Sequence, residues 1–190
     1  MKILPRASYR EMPWKNGAGT TTEIAVHPRG AAAGEFLWRV SMAPVAADGW
    51  FSEFPGIERS LAVLQGAGIS LAQKGAPPVR LGVATPAHCF AADVPTYASL
   101  SDGPILDLNV MTRRGHFTHR LQRRKIISNL QQNFSAETTL LFCPAAALLL
   151  TQGQENMLLP AMDTAVLARE PLRLTAPAPA WFYLIEINPD

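Results

Sequence analysis

Charged and polar side chains interrupt several apolar, strand-like segments, and their types are suited to binding chemistry. Arg39 stands between apolar neighbours, and Asp107 and Asn109 alternate with apolar residues. A charge at such a position must be paired or must face a polar cavity, because burying it alone is costly. An arginine can hold a carboxylate through two parallel hydrogen bonds. These positions therefore predict a site for a small anion.

Two further segments, 13–24 and 51–60, combine glycine turns with aromatic and polar side chains. In the first, the turn precedes a strand on which residues 20, 22 and 24 share one face and residues 21 and 23 share the other. In the second, two phenylalanines flank a turn that ends at an arginine. The predicted ligand-binding residues are Trp14, Asn16, Thr20, Thr22, Glu23, Arg39, Ser41, Phe51, Phe54, Arg59, Asp107 and Asn109.

Each group in this set has an expected role. Arg39 and Arg59 would hold the anion. Neutral hydrogen bonds would come from Asn16, Thr20, Thr22 and Ser41, and the walls from Trp14, Phe51 and Phe54. Glu23 and Asp107 would orient the arginines or bind an amine or imidazole. The alternative is a buried polar network that only stabilises the fold.

Familiar catalytic and metal-binding patterns are missing from the sequence. It contains no GxSxG, no glycine-rich phosphate loop and no HExxH. His116 and His119 are three residues apart, which on a strand places them on opposite faces. The two cysteines lack CxxC spacing. We therefore expect no metal, no cofactor and no catalytic residue of a known class.

The elements that must position these side chains are short strands. Apolar patterns of period two recur between Gly, Pro, Asp and Asn, with a spacing typical of sandwiches and barrels. We expect strand 69–72 to form a hairpin with strand 59–64, and a helical turn over 127–133. The predicted strands are 20–26, 36–42, 59–64, 69–72, 79–81, 97–100, 106–111, 117–127, two within 139–150, 157–159, 165–167, 172–174 and 181–187.

Composition excludes several classes of protein. The chain has 190 residues, 17% of them charged, and a net charge of +2. It has no apolar run long enough to span a membrane or to act as a signal peptide, so we expect a cytoplasmic protein without a membrane partner. A basic stretch, 113–125, lacks a helix-turn-helix pattern. It favours a solvated hairpin face or a protein interface over nucleic-acid binding.

Four motifs carry a resemblance to a known family. In order they are Trp-x-Asn-Gly-x-Gly-x-Thr, Trp-Arg-x-Ser, Phe-Pro-Gly-x-x-Arg and Asp-x-Asn-x-Met, within residues 10–115. This combination resembles the HutD/Ves family of bacterial proteins. The resemblance implies an all-β fold of cupin-like, jelly-roll β-barrels, two small halves in one chain. We expect the halves at 1–112 and 113–190, with strand exchange between them left open.

The same resemblance implies a function. It links the chain to histidine utilisation, as a small-ligand-binding modulator that senses a carboxylate metabolite. Formate, urocanate or a formyl- or formimino-amino acid would suit that pathway. The alternative is a metal-free enzyme acting on such a compound, with Glu23 or Asp107 as the base. The expected partner is the small carboxylate, and a homodimer is left open.

Overall fold

The computed structural model describes residues 1–14, 19–32 and 34–190, and strands dominate it. A short 3-10 helix spans Arg6–Ser8. The prediction of an all-β protein is confirmed. The strands are β1 (Lys2–Leu4), β2 (Arg10–Pro13), β3 (Thr20–His27), β4 (Trp38–Val45), β5 (Gly49–Trp50), β6 (Ile57–Gln65), β7 (Ile69–Gln73), β8 (Val79–Leu81), β9 (His88–Ala91), β10 (Thr96–Leu100), β11 (Ile105–Arg113), β12 (Phe117–Ile126), β13 (Asn129–Gln132), β14 (Thr138–Phe142), β15 (Leu148–Gln152), β16 (Glu155–Leu159), β17 (Thr164–Leu167), β18 (Leu172–Thr175) and β19 (Ala180–Pro189).

Two compact units divide the chain. The N-terminal unit contains Arg10–Thr118 and Asp190, and the C-terminal unit contains Met1–Tyr9 and His119–Pro189. The predicted division at 112/113 differs from these units chiefly in where it assigns the first nine residues. As a statement about domains, 1–112 and 113–190 stays a prediction.

Each unit contains two sheets. The N-terminal unit has a six-stranded sheet, β2-β3-β4-β11-β6-β9, and a four-stranded sheet, β5-β10-β7-β8. The C-terminal unit has a five-stranded sheet, β1-β17-β14-β19-β12, and a four-stranded sheet, β13-β18-β15-β16. Strand pairing does not close these sheets into barrels in the described ranges, so closed barrel halves are not confirmed. No helix in those ranges is long and apolar enough to cross a membrane.

Three expectations about local structure are wrong. Strand β7 pairs with β8 and β10 and not with β6, so the turn at 66–68 crosses from one sheet to the other. Residues 129–132 form a strand because they pair with β18, which overrides their weak helical pattern. The predicted strand 36–42 begins only at Trp38. Phe36 therefore lies outside the strand, and the strand alternation that would place it on the face opposite Arg39 does not apply.

The apolar core of the N-terminal unit identifies the inner face of its six-stranded sheet. Val45, Leu61, Val63 and Ile105 of that sheet cluster with Ile69 and other residues of the four-stranded sheet. Side chains two residues apart on a strand share a face. Every second residue before Val45 and after Ile105 therefore also points between the sheets. Those positions include the polar residues of interest.

The crossing turn between β6 and β7 depends on Gly66. Its φ is +97°, and a Cβ there would lie 2.5 Å from the carbonyl oxygen of Pro104. Gly75 has a φ of +83° but no described atom within 4 Å of such a Cβ. The two glycines thus share a left-handed backbone and differ in the space around them.

We predict that Gly66→Ala destabilises the protein more than Gly75→Ala. The control change costs about 1 kcal/mol for the left-handed backbone, and the clash adds about 1–3 kcal/mol. Urea unfolding followed by tryptophan fluorescence measures both. Equal losses in the two variants would show that the crossing turn relaxes without cost.

Candidate functional site

Polar residues from three neighbouring strands meet on the inner face of the six-stranded sheet. Met111 of β11 pairs with Arg39 of β4 on one side and with Arg59 of β6 on the other. Two residues along β11, Asn109 pairs with Ser41. Directly paired residues share a face. The register therefore brings both arginines to one face, although they lie on different strands.

Arg59, Asn109 and Asp107 form a continuous hydrogen-bonded network. The Nε and Nη2 atoms of Arg59 donate to Asn109 Oδ1 at 2.8 and 2.6 Å. Asn109 Nδ2 then donates to Asp107 Oδ1 at 2.6 Å. The backbone N–H of Ala43 donates to the same carboxylate oxygen at 3.1 Å. The amide of Asn109 thus links the cation to the anion.

This network is buried, and burial disfavours its charges. Arg59 is 7% exposed, Asn109 4% and Asp107 1%. Arg59 Nη2 lies 3.8 Å from Asp107 Oδ2, which is an ion pair but too long for a hydrogen bond. Desolvation raises the pKa of Asp107 to about 6, against the opposing charge of Arg59. Desolvation lowers the pKa of Arg59 to about 10, so it stays charged at neutral pH.

Arg39 is equally buried but is poorly paired. It is 7% exposed, and its Nη2 donates to the sulfur of Met111 at 3.5 Å. A thioether is a weak acceptor. Among the described residues, Arg39 forms no ion pair, and its buried Nε has no hydrogen-bond partner. Burial lowers the pKa of Arg39, and the charge of Glu23 opposes that shift.

Glu23 is the acid that acts on Arg39 from a distance. It is 6% exposed and pairs with Ser41, which places it on the inner face. Burial raises its pKa, and the charges of Arg39 and Arg10 lower it. The inner face thus carries two arginines and two carboxyl groups, and burial favours the neutral form of both acids. The balance of charge there favours binding an anion.

Aromatic rings cover both guanidinium groups. The Cζ of Arg59 lies 4.4 Å from the centroid of the Phe51 ring and 5.6 Å from that of Phe90. The Cζ of Arg39 lies 4.8 Å from the Phe36 ring and 5.4 Å from the Phe54 ring. Phe36 and Phe54 also contact each other, with centroids 6.0 Å apart. We call this ring pair the aromatic platform of Arg39.

Four predicted residues, Trp14, Asn16, Thr20 and Thr22, remain. Trp14 is held by Nε1, which donates to Thr21 Oγ1 at 2.8 Å, and Thr21 shares the face of Glu23. Thr22 pairs with Met42, which lies on the outer face, and Thr20 shares that side. The structure thus separates both predicted threonines from the arginines. Asn16 lies outside the described residues.

Three residues that touch the arginines were absent from the predicted set. The predicted strand 36–42 sets Phe36 on the face opposite Arg39, and this is wrong because β4 begins only at Trp38. Phe90 contacts Arg59 because β9 pairs with β6, a partnership that no local pattern reveals. Met111 does carry a readable signal, since it shares a strand face with Asp107 and Asn109.

Metal ligation has no candidate group in the described part of the chain. No cluster of three or more His, Cys, Asp or Glu side chains there has the geometry to hold an ion. The polar groups gathered on the inner face are instead suited to an organic ion. Guanidinium groups take a carboxylate, and carboxyl groups take an N–H donor.

Comparison with known proteins identifies relatives of this chain. A family model described as HutD matches residues 6–184. Protein Ves of Citrobacter koseri is 43% identical over 109 residues, which cover 55% of this chain and 56% of that protein. An uncharacterized 21.2 kDa protein in the hutC 3'region of Pseudomonas putida is 35% identical over 146 residues, covering 77% and 75%. The chain thus spans little more than half of the Ves protein it matches.

Solved structures resemble the whole chain. A conserved protein of unknown function from Pseudomonas aeruginosa PAO1 has a TM-score of 0.89 at 34% identity, with 98% of both chains covered. HutD from Pseudomonas fluorescens SBW25, in a formate condition, has a TM-score of 0.81 at 27% identity, covering 100% of this chain and 98% of that one. YhaK from Escherichia coli has a TM-score of 0.65 at 13% identity, covering 90% and 94%. Likeness of this last kind shows the fold alone, which is cupin-like.

The raised pKa of Asp107 predicts how stability changes with pH. The folded-state value, about 6, exceeds the ordinary value of 3.8. The contribution of Asp107 to stability is therefore fully present at pH values below its ordinary pKa. It is lost as the pH rises through the pKa of the folded state. We expect the free energy of unfolding of the wild type to fall relative to Asp107→Asn across that window.

Urea unfolding at a series of pH values measures this difference. The two proteins share Glu23 and every other titrating group, so the comparison isolates Asp107. A wild type that instead gains stability relative to the variant as pH rises would mean that the attraction of Arg59 outweighs the burial of the carboxylate.

Proposed function

Because this chain belongs to the HutD family, we propose that it is a cupin-like binding protein associated with histidine utilisation. Its ligand is a small carboxylate metabolite, which it senses as a modulator of that pathway. The association with histidine utilisation rests on its relatives, one of which lies in a hutC 3'region. The anion site rests on the residues of the inner face.

The observation that carries the anion site is the unequal pairing of the two arginines. Arg59 has both donors on Asn109 and an acid nearby. Within the described ranges, Arg39 donates to a thioether sulfur, its Nε has no hydrogen-bond partner, and Glu23 acts on it from beyond ion-pair distance. A buried guanidinium without an ion pair is costly, and a carboxylate ligand would reduce that cost. Arg39 is therefore the anchor of the proposed site.

The acids of the inner face narrow the class of ligand. Asp107 Oδ2 is buried and accepts no hydrogen bond in the described part of the chain. Glu23 adds a second acid on the same face. A ligand that carries an N–H donor besides its carboxylate would use one of these groups. Urocanate and a formimino-amino acid have both features, whereas formate has only the carboxylate.

A metal-free enzyme is the alternative function. A general base must reach the proton that it removes. Asp107 is 1% exposed, and its Oδ1 already accepts bonds from Asn109 and Ala43. Its Oδ2, which accepts no described hydrogen bond, is the atom that would either accept a hydrogen bond from a bound ligand or remove its proton, so the two functions differ in whether the ligand is chemically changed. Recovery of a chemically altered urocanate or formimino-glutamate after incubation with the protein would favour the enzyme.

We predict opposite outcomes for replacing the two arginines by methionine. Arg39→Met should change stability little and weaken carboxylate binding by roughly 2–5 kcal/mol, the usual cost of losing one partner of a desolvated charge pair. Arg59→Met should destabilise the fold by about 3–5 kcal/mol, because it leaves Asp107 without its cation. Calorimetric titration with formate, urocanate and formylated glutamate, together with thermal unfolding, measures both effects.

Arg80→Met serves as the control, since Arg80 is exposed on β8. It should bind and unfold like the wild type. The anion site is wrong if none of the three compounds binds the wild type at millimolar concentration. It is also wrong if Arg39→Met binds them as tightly as the wild type does.

A further inference from the structure

Two consecutive arginines, Arg113 and Arg114, lie at the end of β11 and in the turn that follows it. They begin the basic stretch 113–125, for which the sequence predicts a solvated hairpin face or a protein interface. In the structure their guanidinium groups are not simply solvated. Each bonds to a different segment of the N-terminal unit, and those two segments carry the rings of the aromatic platform.

Arg113 holds the segment that carries Phe36. Its Nη2 donates to the carbonyl oxygen of Gly34 at 2.6 Å, and its Nε donates to that of Phe36 at 3.3 Å. Its backbone N–H donates to the carbonyl oxygen of Leu37 at 2.7 Å. Arg113 thus donates three hydrogen bonds to backbone carbonyls of residues 34, 36 and 37, which include Phe36 and its neighbours in the chain.

Arg114 holds the segment that carries Phe54. Its backbone N–H donates to the carbonyl oxygen of Gly56 at 2.9 Å. Its Nη1 donates to the carbonyl oxygen of Ile57 at 3.1 Å, and its Nη2 donates to Asp93 Oδ2. Asp93 Oδ2 in turn accepts the N–H of Gly56 at 3.1 Å. Side chain and backbone together close a loop of bonds around the turn after Phe54.

From these contacts we propose that Arg113 and Arg114 are positioning residues that set the aromatic platform beneath Arg39 and thereby the affinity of its anion site. The claim that they set the affinity rests on the proposed function. The claim that they position the two rings rests on the hydrogen bonds described above.

Phe36 lies before β4, and Phe54 lies between β5 and β6, so neither ring belongs to a strand of the six-stranded sheet. The N–H of Leu37 donates to the carbonyl oxygen of His27 at 2.7 Å, and the N–H of Phe54 donates to that of Ala92 at 2.9 Å. The bonds of Arg113 and Arg114 add to these two and fix the far side of each segment.

The position of the rings matters because they determine what surrounds the guanidinium. A ring face attracts the cation and takes the place of water above it. The planar edge of an arginine stays available for a carboxylate while its face rests on a ring. A platform that moves away admits water, which raises the local dielectric and weakens the attraction for the anion.

Lysine substitutions separate positioning from charge. Arg113→Lys and Arg114→Lys keep each positive charge but lose the planar fork that reaches several acceptors at once. Arg113→Gln and Arg114→Gln lose both the positive charge and the planar fork. Arg80→Lys and Arg80→Gln are the matched controls, at an exposed position of the same unit. A general attraction of the anion by positive charge would survive the lysine changes.

The first measurement needs no ligand. The Nε–Hε resonance of Arg39, assigned by its loss in Arg39→Lys, reports the ring currents of Phe36 and Phe54. We expect Arg113→Lys and Arg114→Lys each to shift this resonance while the sheet resonances of β4 and β11 stay in place. Both Arg80 variants should leave it unchanged. An unshifted resonance in both lysine variants would overturn the assignment of the two arginines.

The second measurement is calorimetric titration of formate and urocanate into the same proteins. We expect the lysine and glutamine variants at 113 and 114 to bind about fivefold more weakly than the wild type, the size of a lost cation–π contact. Full affinity in the lysine variants, with loss only in the glutamine variants, would show that charge alone matters. It would overturn the positioning role in binding.

The two measurements distinguish the possible failures. If the wild type binds neither compound, the proposed function fails, and the resonance of Arg39 still decides whether the arginines set the platform. Should Arg114→Lys not fold, Asp93→Asn replaces it, because it weakens the anchor of Arg114 and leaves the arginine in place. That variant should also shift the Arg39 resonance, and an unchanged resonance would count against the proposal.

Discussion

The burial of two guanidinium groups inside a β-sandwich is the constraint on which the N-terminal unit depends. Desolvation of each charge works against folding, and apolar clusters lie on either side of the polar residues of the inner face. Asn109 resolves this problem for Arg59. It stands two residues from Asp107 on the same strand face, so its amide accepts from the cation and donates to the carboxylate. The backbone N–H of Ala43 is a second donor to the carboxylate oxygen that accepts from Asn109.

Arg39 shares the burial of Arg59 but not its partners. The same sheet thus contains two buried arginines with different partners. Arg59 has hydrogen bonds and an acid within the fold, whereas Arg39 contacts a thioether sulfur and two aromatic rings. This asymmetry separates a charge that the fold has paired from one that it has left with weak contacts. A side chain that the fold has satisfied contributes mostly to stability, whereas an unsatisfied one is free to exchange its weak contacts for a ligand.

Segments outside the regular strands complete the surroundings of Arg39. The rings of Phe36 and Phe54 come from connections, and hydrogen bonds from the turn after β11 tie those connections down. Connections can change without altering the register of a sheet, which is where binding proteins commonly vary. The walls around Arg39 are therefore built separately from the sheets, so they can change while the strand pairing stays the same.

By itself the sequence determined most of the longer strands and which of their residues share a face, but not β9 or the strand at 129–132. Alternation of period two is a local property, so it correctly placed Ser41 with Arg39, and Met111 with Asp107 and Asn109. The motifs identified the family, and the charges within apolar strands identified most of the inner-face residues. The prediction of Thr20 and Thr22 as ligand-binding residues rests on their chemistry alone, since the same alternation sets them on the side opposite Glu23.

Only the tertiary structure decided which strands are neighbours. That β6 and β7 belong to different sheets, that β9 brings Phe90 to Arg59, and that Asn109 lies between Arg59 and Asp107 all depend on pairing between distant segments. Such pairings cost chain entropy and are repaid by burial across the whole unit. Their stability therefore belongs to no single segment, and no local pattern records it.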